Sequence, residues 1–192
     1  MIQSAKTRKC RACGAIYTQY QSFVSWCSAE CGAEIAAKKV AKIKREEAVK
    51  VRRADKVKRE SQKTRGDYIK ETQIEFNKYV RLRDSGQGCI SCGSACGEGS
   101  IGGSGDAGHF RSRGSAPHLR FDERNCHLQC KRCNRYLSGN VAAYRVGLVR
   151  RIGLDVVLAL EEDQEPRKYT VEELKAIKKH YAELAKQLRS EI

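Results

Sequence analysis

Closely spaced cysteine pairs constrain the fold of this chain more than any other feature. Three C-x-x-C pairs occur among its ten cysteines, at Cys10/Cys13, Cys89/Cys92 and Cys130/Cys133. Such a turn points two thiolates at one ion, and two pairs complete the tetrahedral shell of one Zn²⁺. The opening residues lack the apolar stretch of a signal peptide, so we expect a reducing, cytosolic environment. There, cysteines at this spacing predict zinc sites rather than disulfides.

The first predicted zinc site lies near the start of the chain, within residues 1–32. Its four candidate ligands are Cys10, Cys13, Cys27 and Cys31. Tyr17, Phe23 and Trp26 supply at most a minimal apolar core, and so short a segment hardly folds without a metal. The alternative is a set of free thiols in a segment without an anchor. Ser28 is a candidate N-cap for a helix that follows.

The composition of residues 33–65 predicts a long basic helix. The segment has no Gly or Pro and contains thirteen Lys or Arg against five Asp or Glu. Its apolar residues are too sparse for a coiled coil. The helix could lie along phosphates, or it could be a solvated linker. The whole chain has a net charge of +15 and a pI near 9.5. This charge favours a polyanionic partner, and the cysteine pattern favours nucleic acid over an anionic membrane surface.

The remaining helical patterns complete a fold that we expect to be α+β and mainly helical. A second helix is predicted at 66–86, and residues 141–192 form a helical C-terminal region. In that region Thr170 and Glu173 have capping-box spacing. Residues 93–108 form a Gly-rich insert within a compact core at 66–140. The chain has no run of about 18 apolar residues, so no membrane partner is expected.

The segment from 89 to 134 contains the pattern that indicates chemistry. Two C-x-x-C pairs, Cys89/Cys92 and Cys130/Cys133, bracket His109 and Asn125, and Asn134 directly follows the last cysteine. This arrangement resembles the zinc-bearing HNH nucleases, whose core is a ββα-metal fold. The resemblance places His109 at the end of a strand, Asn125 on the return strand and Asn134 at a helix start. Four thiolates leave zinc no open position, so this zinc would be structural.

In a nuclease of this kind each residue of the pattern would have a role in cutting a phosphodiester. A neutral His109 can take a proton from water near pH 7. A hard divalent ion, Mg²⁺ with Mn²⁺ as an alternative, would bind the phosphate through oxygen ligands such as Asp106 and Asn134. Asn125 would orient the imidazole of His109 or hold the adjoining loop. The chain departs from many HNH proteins at Gly108, where those proteins have a metal-binding residue, and Asp106 is the nearest acidic residue.

Basic residues crowd the same segment and predict contacts with phosphates. These candidates for DNA binding are Arg111, Arg113, Arg120, Arg124, Lys131, Arg132 and Arg135. Other residues are assigned lesser parts. Cys96 is a bystander or a substitute ligand, Cys126 a small buried residue and His127 a structural residue. His118 could face the DNA, and His180 is an ordinary helix residue.

A closer resemblance covers nearly the whole chain. The motifs C-I-S-C-G, D-A-G-H, A-P-x-L-R-F-x-E-R-N and S-G-N, with K-C-x-x-C and W-C-S near the start, resemble the NinG (Rap) recombination proteins of lambdoid phages. The resemblance implies an endonuclease for branched recombination intermediates, such as Holliday junctions and D-loops, in the cytoplasm of the infected bacterium. The resemblance also implies two further kinds of partner, a second copy of the chain in a homodimer and other phage recombination proteins. The competing hypothesis is a non-catalytic zinc protein that binds DNA.

Overall fold

A computed structural model describes residues 6–19, 21–97 and 105–190. The chain divides into two compact units, Met1–Gln62 and Lys63–Ile192. Part of the predicted Gly-rich insert, residues 98–104, lies outside the described residues. The described residues form a mainly helical α+β fold, as the sequence predicts, and contain two small two-stranded sheets. None of the described helices combines the length and apolar character needed to cross a membrane.

The first unit consists of a two-stranded hairpin followed by one long helix. Strands β1 (Lys6–Lys9) and β2 (Ile16–Gln19) pair antiparallel, with Lys9 opposite Ile16. Helix α1 (Ala29–Ser61) begins directly after Ser28, whose hydroxyl accepts a hydrogen bond from the backbone N–H of Cys31 at 3.3 Å. Ser28 is therefore the N-cap, as predicted. No residue of α1 is buried.

Two long helices form the base of the second unit. Helix α2 (Arg65–Arg83) begins with a capping box between Thr64 and Asp67. Helix α5 (Val171–Ser190) follows the predicted box, in which Glu173 accepts from the Thr170 N–H at 2.8 Å and the Thr170 hydroxyl accepts from the Glu173 N–H at 3.1 Å. The two helices pack along each other, so the C-terminal region belongs to the same unit as the predicted nuclease core. Their shared core contains the buried residues Phe76, Val80, Leu174 and Tyr181.

A short hairpin and two further helices complete this unit. Strands β3 (Asp106–His109) and β4 (Cys126–Gln129) pair antiparallel, with His109 opposite Cys126. Short 3₁₀ turns at Pro117–Leu119 and Glu123–Asn125 lie between the strands. A π-helical turn (Arg132–Tyr136) follows β4, and helices α3 (Val141–Ile152) and α4 (Leu154–Glu162) come next. A Cβ on Gly147 would overlap the carbonyl oxygen of Ile90, so α3 closely approaches the turn that contains Cys89 and Cys92.

The buried carboxylate of Asp84 links the end of α2 to β4 and α3 through hydrogen bonds and ion pairs. Asp84 is 1% exposed and follows α2 directly. Its oxygens accept from Arg83 at 2.7 and 3.0 Å and from the backbone N–H of Leu128 at 2.8 Å, with His127 at 3.4 Å and Arg151 at 3.5 Å. Burial opposes the charged form, but the hydrogen bonds from His127 and Arg83 hold the pKa of Asp84 well below its usual range. The strand that pairs with His109 is therefore held by a charged network.

Replacing this carboxylate is expected to destabilise the second unit. Asp84→Asn removes the carboxylate charge that Arg83 and Arg151 share and leaves Arg83 with only the more exposed Glu123 at 3.5 Å, so we expect a loss of about 3–5 kcal/mol, as for a broken buried pair. Urea unfolding measures the loss, and Asp155→Asn, an exposed carboxylate on α4, is the control and changes stability by under about 1 kcal/mol. Because folding lowers the pKa of Asp84, its contribution is present above the unfolded value of about 3.9 and is lost as the pH falls below it. Equal losses in both variants would contradict this account.

Candidate active site and metal centres

Two groups of four cysteines could each hold a zinc ion, and they are the two quartets that the spacing predicts. The ligand sulfurs of Cys89, Cys92, Cys130 and Cys133 all lie within 4.8 Å of one another, and so do those of Cys10, Cys13, Cys27 and Cys31. Tetrahedral Zn–S bonds of about 2.3 Å put sulfur atoms roughly 3.8 Å apart. The Cys92 and Cys130 sulfurs are 3.8 Å apart, and the Cys13 and Cys27 sulfurs are 3.5 Å apart. Both clusters therefore have the donors and the dimensions of a zinc site.

Local backbone geometry brings the second quartet together. Cys89 and Cys92 occupy a turn closed by a hydrogen bond from the Gly93 N–H to the Cys89 carbonyl at 2.8 Å. Cys130 follows β4, and Cys133 lies in the π-helical turn. Cys96 packs against this cluster but is not one of the four sulfurs grouped there. The quartet joins the end of α2 to the end of β4, so it holds the strand that faces His109.

His109 ends β3 with its ring in a defined orientation. Its Nε2 lies 2.9 Å from the carbonyl oxygen of Arg120. Only a protonated Nε2 can donate to a carbonyl, so the neutral ring keeps its lone pair on Nδ1. Nδ1 lies 3.7 Å from the thiol of Cys126, which is fully buried on the facing strand. The ring also contacts Phe76 of α2, with centroids 6.2 Å apart.

The environment of His109 keeps the imidazole neutral. Burial lowers its pKa to about 4, and the positive charges of Arg113 and Arg120 act in the same direction. The hydrogen bond to the Arg120 carbonyl opposes the shift but is the smaller effect. At neutral pH the ring is therefore unprotonated and can accept a proton.

Asn125 holds the loop that follows His109. It is fully buried, and its side-chain oxygen accepts from the Arg111 N–H at 2.8 Å. Its amide nitrogen donates to the carbonyls of Arg111 and Leu119, at 3.1 Å each. Of the two roles open to Asn125 from the sequence, this geometry matches loop support. These hydrogen bonds join Asn125 to Arg111 and Leu119 rather than to the imidazole of His109.

Asp106 begins β3 and is bound by residues of the π-helical turn. Arg135 donates to both carboxylate oxygens, at 2.7 and 2.9 Å, and the Asn134 amide donates to one of them at 3.0 Å. Burial opposes the charged form, but these two partners lower the pKa of Asp106. The carboxylate is therefore ionised, and Arg135 occupies the position of a counter-ion beside it.

The absence of a side chain at Gly108 has a steric reason. A Cβ at this position would lie 2.2 Å from the side-chain oxygen of Gln129 and 3.0 Å from its Cβ. Gln129 is fully buried and is held by hydrogen bonds from its amide nitrogen to Ser91 and to the Gly139 carbonyl. An acidic side chain directly before His109 has no room in this fold. Asp106, two residues before Gly108, is the acidic residue of β3 itself.

Gly108→Ala is expected to destabilise the protein because its Cβ overlaps Gln129. Overpacking of this kind costs about 1–3 kcal/mol. Gly114→Ala is the matched control, since a Cβ there meets its nearest atom at 3.8 Å. Thermal or urea unfolding compares the two variants. Adding Gln129→Ala to Gly108→Ala should recover part of the loss, and a Gly108→Ala protein as stable as the Gly114→Ala protein would contradict this explanation.

The predicted site residues His109, Asp106 and Asn134 line one cavity of about 450 Å³. Other walls come from α2, the loop after β3 and the π-helical turn. The polar and charged residues of the lining are Asn77, Arg81, Asp106, His109, Ser112, Arg113, Asn134, Arg135 and Ser138. Asn77 and Arg81 were missed from the sequence. Their i, i+4 spacing beside the buried Phe76 and Val80 was the available signal.

The seven arginines and lysines predicted to contact DNA occupy different surroundings. Arg113 and Arg135 line the cavity. The Arg111 side chain instead donates to the carbonyls of Leu160 and Asp163, and Arg124 pairs with Asp122. Arg120 donates a hydrogen bond to the side chain of Gln73 at 3.4 Å. Lys131 and Arg132 lie between Cys130 and Cys133 in the sequence. His118 contacts the carbonyl of Asp163 at 3.0 Å.

Comparisons with known proteins all point to one protein family. The model for the bacteriophage lambda NinG protein matches residues 2–191. Curated relatives include protein ninG of Salmonella phage P22, 42% identical over 85% of this chain and 84% of the relative. Protein ninG of Escherichia phage lambda is 40% identical over 86% and 84%, and that of Escherichia phage 933W is 38% identical over 95% and 94%. No solved structure matches this chain. Matched over nearly its full length by the family model, the chain belongs to the NinG family of lambdoid phage proteins.

Proposed function

We propose that this protein is a metal-dependent endodeoxyribonuclease of the HNH type that cuts branched DNA. The observation that carries the proposal is a neutral, oriented histidine in a cavity walled by arginines. His109, whose burial keeps the imidazole unprotonated, faces the same cavity as Arg81, Arg113 and Arg135. A proton acceptor surrounded by fixed positive charge is the arrangement that hydrolysis of a phosphodiester needs.

His109 is the general base of the proposed reaction. Its Nε2–H is held by the Arg120 carbonyl, so Nδ1 accepts the proton of the attacking water. The water oxygen forms a bond to phosphorus, and the bond from phosphorus to the leaving oxygen breaks. The leaving oxygen is protonated from solvent. The buried Cys126 thiol, 3.7 Å from Nδ1, is a weak donor, and the attacking water would take its place as the partner of the lone pair.

The cavity arginines bind the phosphate. Arg81 comes from α2, Arg113 from the loop after β3 and Arg135 from the π-helical turn. Arginine suits this task because its planar fork donates two parallel hydrogen bonds to phosphate oxygens. Contacts to phosphate position the strand without reading its sequence. These three residues therefore orient the scissile bond towards His109.

The donors in the cavity fit a divalent cation of the Mg²⁺ type. The Asp106 carboxylate and the Asn134 side-chain oxygen are hard ligands, and Mg²⁺ is bound in proteins through one or two carboxylates together with substrate phosphate and water. When bound, such an ion supplies charge relief at the phosphate and the leaving oxygen. Asp106 can reach it only if Arg135 releases the carboxylate. An incoming phosphate is the natural competitor for Arg135.

The HNH assignment and the branched substrate have separate support. Strands β3 and β4, followed by the helical turn with Cys133 and Asn134, have the order of a ββα-metal core, and the cysteine quartet holds that order together. Specificity for junctions and D-loops in phage recombination rests on the resemblance to the NinG (Rap) proteins. Symmetric cutting of a four-way junction requires two active sites, and hence favours a homodimer.

A non-catalytic DNA-binding protein is the second candidate. The ion pair between Arg135 and both oxygens of Asp106 favours it, because a carboxylate so engaged is not available to a metal. In that case the arginines and the zinc centres would bind DNA without any hydrolysis.

Cleavage of a labelled four-way junction tests the proposal. Linear duplex of the same sequence is run beside it, with Mg²⁺ added or withheld. The proposal expects cutting of the junction only with Mg²⁺, and weaker or no cutting of the duplex. Binding of both DNAs with no product at any Mg²⁺ or Mn²⁺ concentration would favour the second candidate. Equal cutting of both DNAs would retain the nuclease and remove the branch specificity.

A further inference from the structure

Helix α1 carries its basic residues in a strict seven-residue pattern. Steps of four and three residues from position 38 to position 59 meet Lys or Arg at six of seven places. These six residues, named here the basic stripe, are Lys38, Lys42, Arg45, Arg52, Lys56 and Arg59. Val49 occupies the seventh place. None of the acidic residues of the helix falls on these places.

Seven-residue spacing keeps the basic stripe on one side of the helix. An α-helix turns about 100° per residue, so such a repeat drifts by only about 20° per heptad. The opposite side carries apolar residues among charged ones. Ala36, Val40, Ile43 and Ala54 lie there, with Val40 and Ile43 45–50% exposed, and so do Glu47, Lys50 and Lys58. Positive charge is therefore denser along the basic stripe than on the opposite side of α1.

The dimensions of the basic stripe suit a DNA duplex. From Lys38 to Arg59 the helix rises about 32 Å at roughly 1.5 Å per residue, close to one turn of B-form DNA at about 34 Å. No residue of α1 is buried, so its cationic side is accessible within the first unit. Acidic neighbours only partly neutralise it. Lys38 pairs with Glu34 at 2.6 Å, and Lys42 lies 3.9 Å from Glu46.

We infer that the basic stripe of α1 binds the phosphate backbone of a DNA duplex arm, as a second contact surface besides the proposed active-site cavity. The inference rests on the proposed function in that the partner is DNA. Phosphate contacts of this kind are independent of sequence and depend strongly on salt, because each releases condensed counter-ions. The stripe would add affinity and orientation for an arm of the substrate. The chemistry would stay with His109.

Two triple variants of the full-length protein separate the stripe from general positive charge. Arg45→Gln/Arg52→Gln/Arg59→Gln removes three charges from the stripe. Lys44→Gln/Lys50→Gln/Lys58→Gln removes three from places that lie about 100° or more around the same helix. Glutamine is a good helix former, and circular dichroism checks that both variants keep α1. Binding to a labelled four-way junction and to linear duplex is measured by anisotropy across a salt series without added divalent ions.

The stripe variant is expected to lose about 3 units of the slope of log K against log salt, at about 0.9 per phosphate contact. At 0.1 M salt this corresponds to weaker binding on the order of 10²-fold. The other triple variant should stay within about threefold of the wild type. Equal losses in the two variants, or none in either, would overturn the inference.

Failure of the stripe and failure of the proposed function give different results. A wild type that cuts the junction with Mg²⁺, while the stripe variant binds the junction as tightly as the wild type, overturns the stripe alone. A stripe variant that binds weakly, with a wild type that binds but never cuts, supports the stripe and overturns the nuclease. A wild type that binds no DNA overturns both.

Discussion

Replacing Cys130 by alanine is expected to remove one zinc ion and to unfold the second unit. Cys130 is buried in the quartet that joins the end of α2 to the end of β4. Structural zinc contributes about 10–16 kcal/mol of apparent binding free energy at pH 7, whereas a whole domain is stable by about 5–15 kcal/mol. The free energy lost with the zinc is therefore larger than the stability that the small hydrophobic cores of this unit can supply. Native mass spectrometry reads the zinc content, and urea unfolding reads the stability.

Two other cysteines serve as controls for this variant. Cys96→Ala should keep both zinc ions, because Cys96 packs beside the quartet without being one of its grouped sulfurs. Cys126→Ala should also keep both, and should lose only the packing of a buried thiol, on the order of 1–2 kcal/mol. A Cys130→Ala protein that retains two zinc ions would contradict the assignment. Loss of zinc from Cys96→Ala would make Cys96 a ligand.

His109→Ala is expected to abolish cleavage while leaving DNA binding nearly intact. A positioned general base contributes about 10²–10⁴-fold to a rate, and no other described histidine lines the cavity. The phosphate-binding arginines are untouched by the change. Single-turnover cleavage of a junction measures the rate, and His180→Ala, which alters an exposed histidine on α5, is the control. The control should cut at the wild-type rate.

Features set by short-range spacing were predictable from the sequence. Each C-x-x-C pair brings two sulfurs together within one turn, and Cys27 and Cys31, four residues apart, complete the first group, so both cysteine quartets could be named before their geometry was known. Ser28 and Thr170 cap helices because their side chains reach backbone groups three residues away. Helix α1 ends at Ser61, four residues before the end of the predicted helix at 33–65, and a local capping signal explains the difference. Thr64 and Asp67 form a capping box that starts α2, and this signal was overlooked.

Features that join distant segments could not be predicted in the same way. The pairing of Asp106 with Arg135 and the hold of Arg83 on Asp84 and β4 depend on how strands and turns pack. Likewise, the need for glycine at position 108 becomes clear only when the register of β3 and β4 places Gln129 beside it. The role of Asn125 as a loop support emerged from its contacts, whereas the spacing alone left two roles open.

Cleavage and binding measured on the same four-way junction, with wild type and His109→Ala, test the central claim most directly. Both proteins must first be shown to hold two zinc ions. The account predicts Mg²⁺-dependent cutting by the wild type, at least about 10²-fold slower cutting by the variant, and affinities within about threefold of each other. Cutting by His109→Ala at the wild-type rate, or a loss of cutting that only follows a loss of binding, would contradict the claim that His109 is the base.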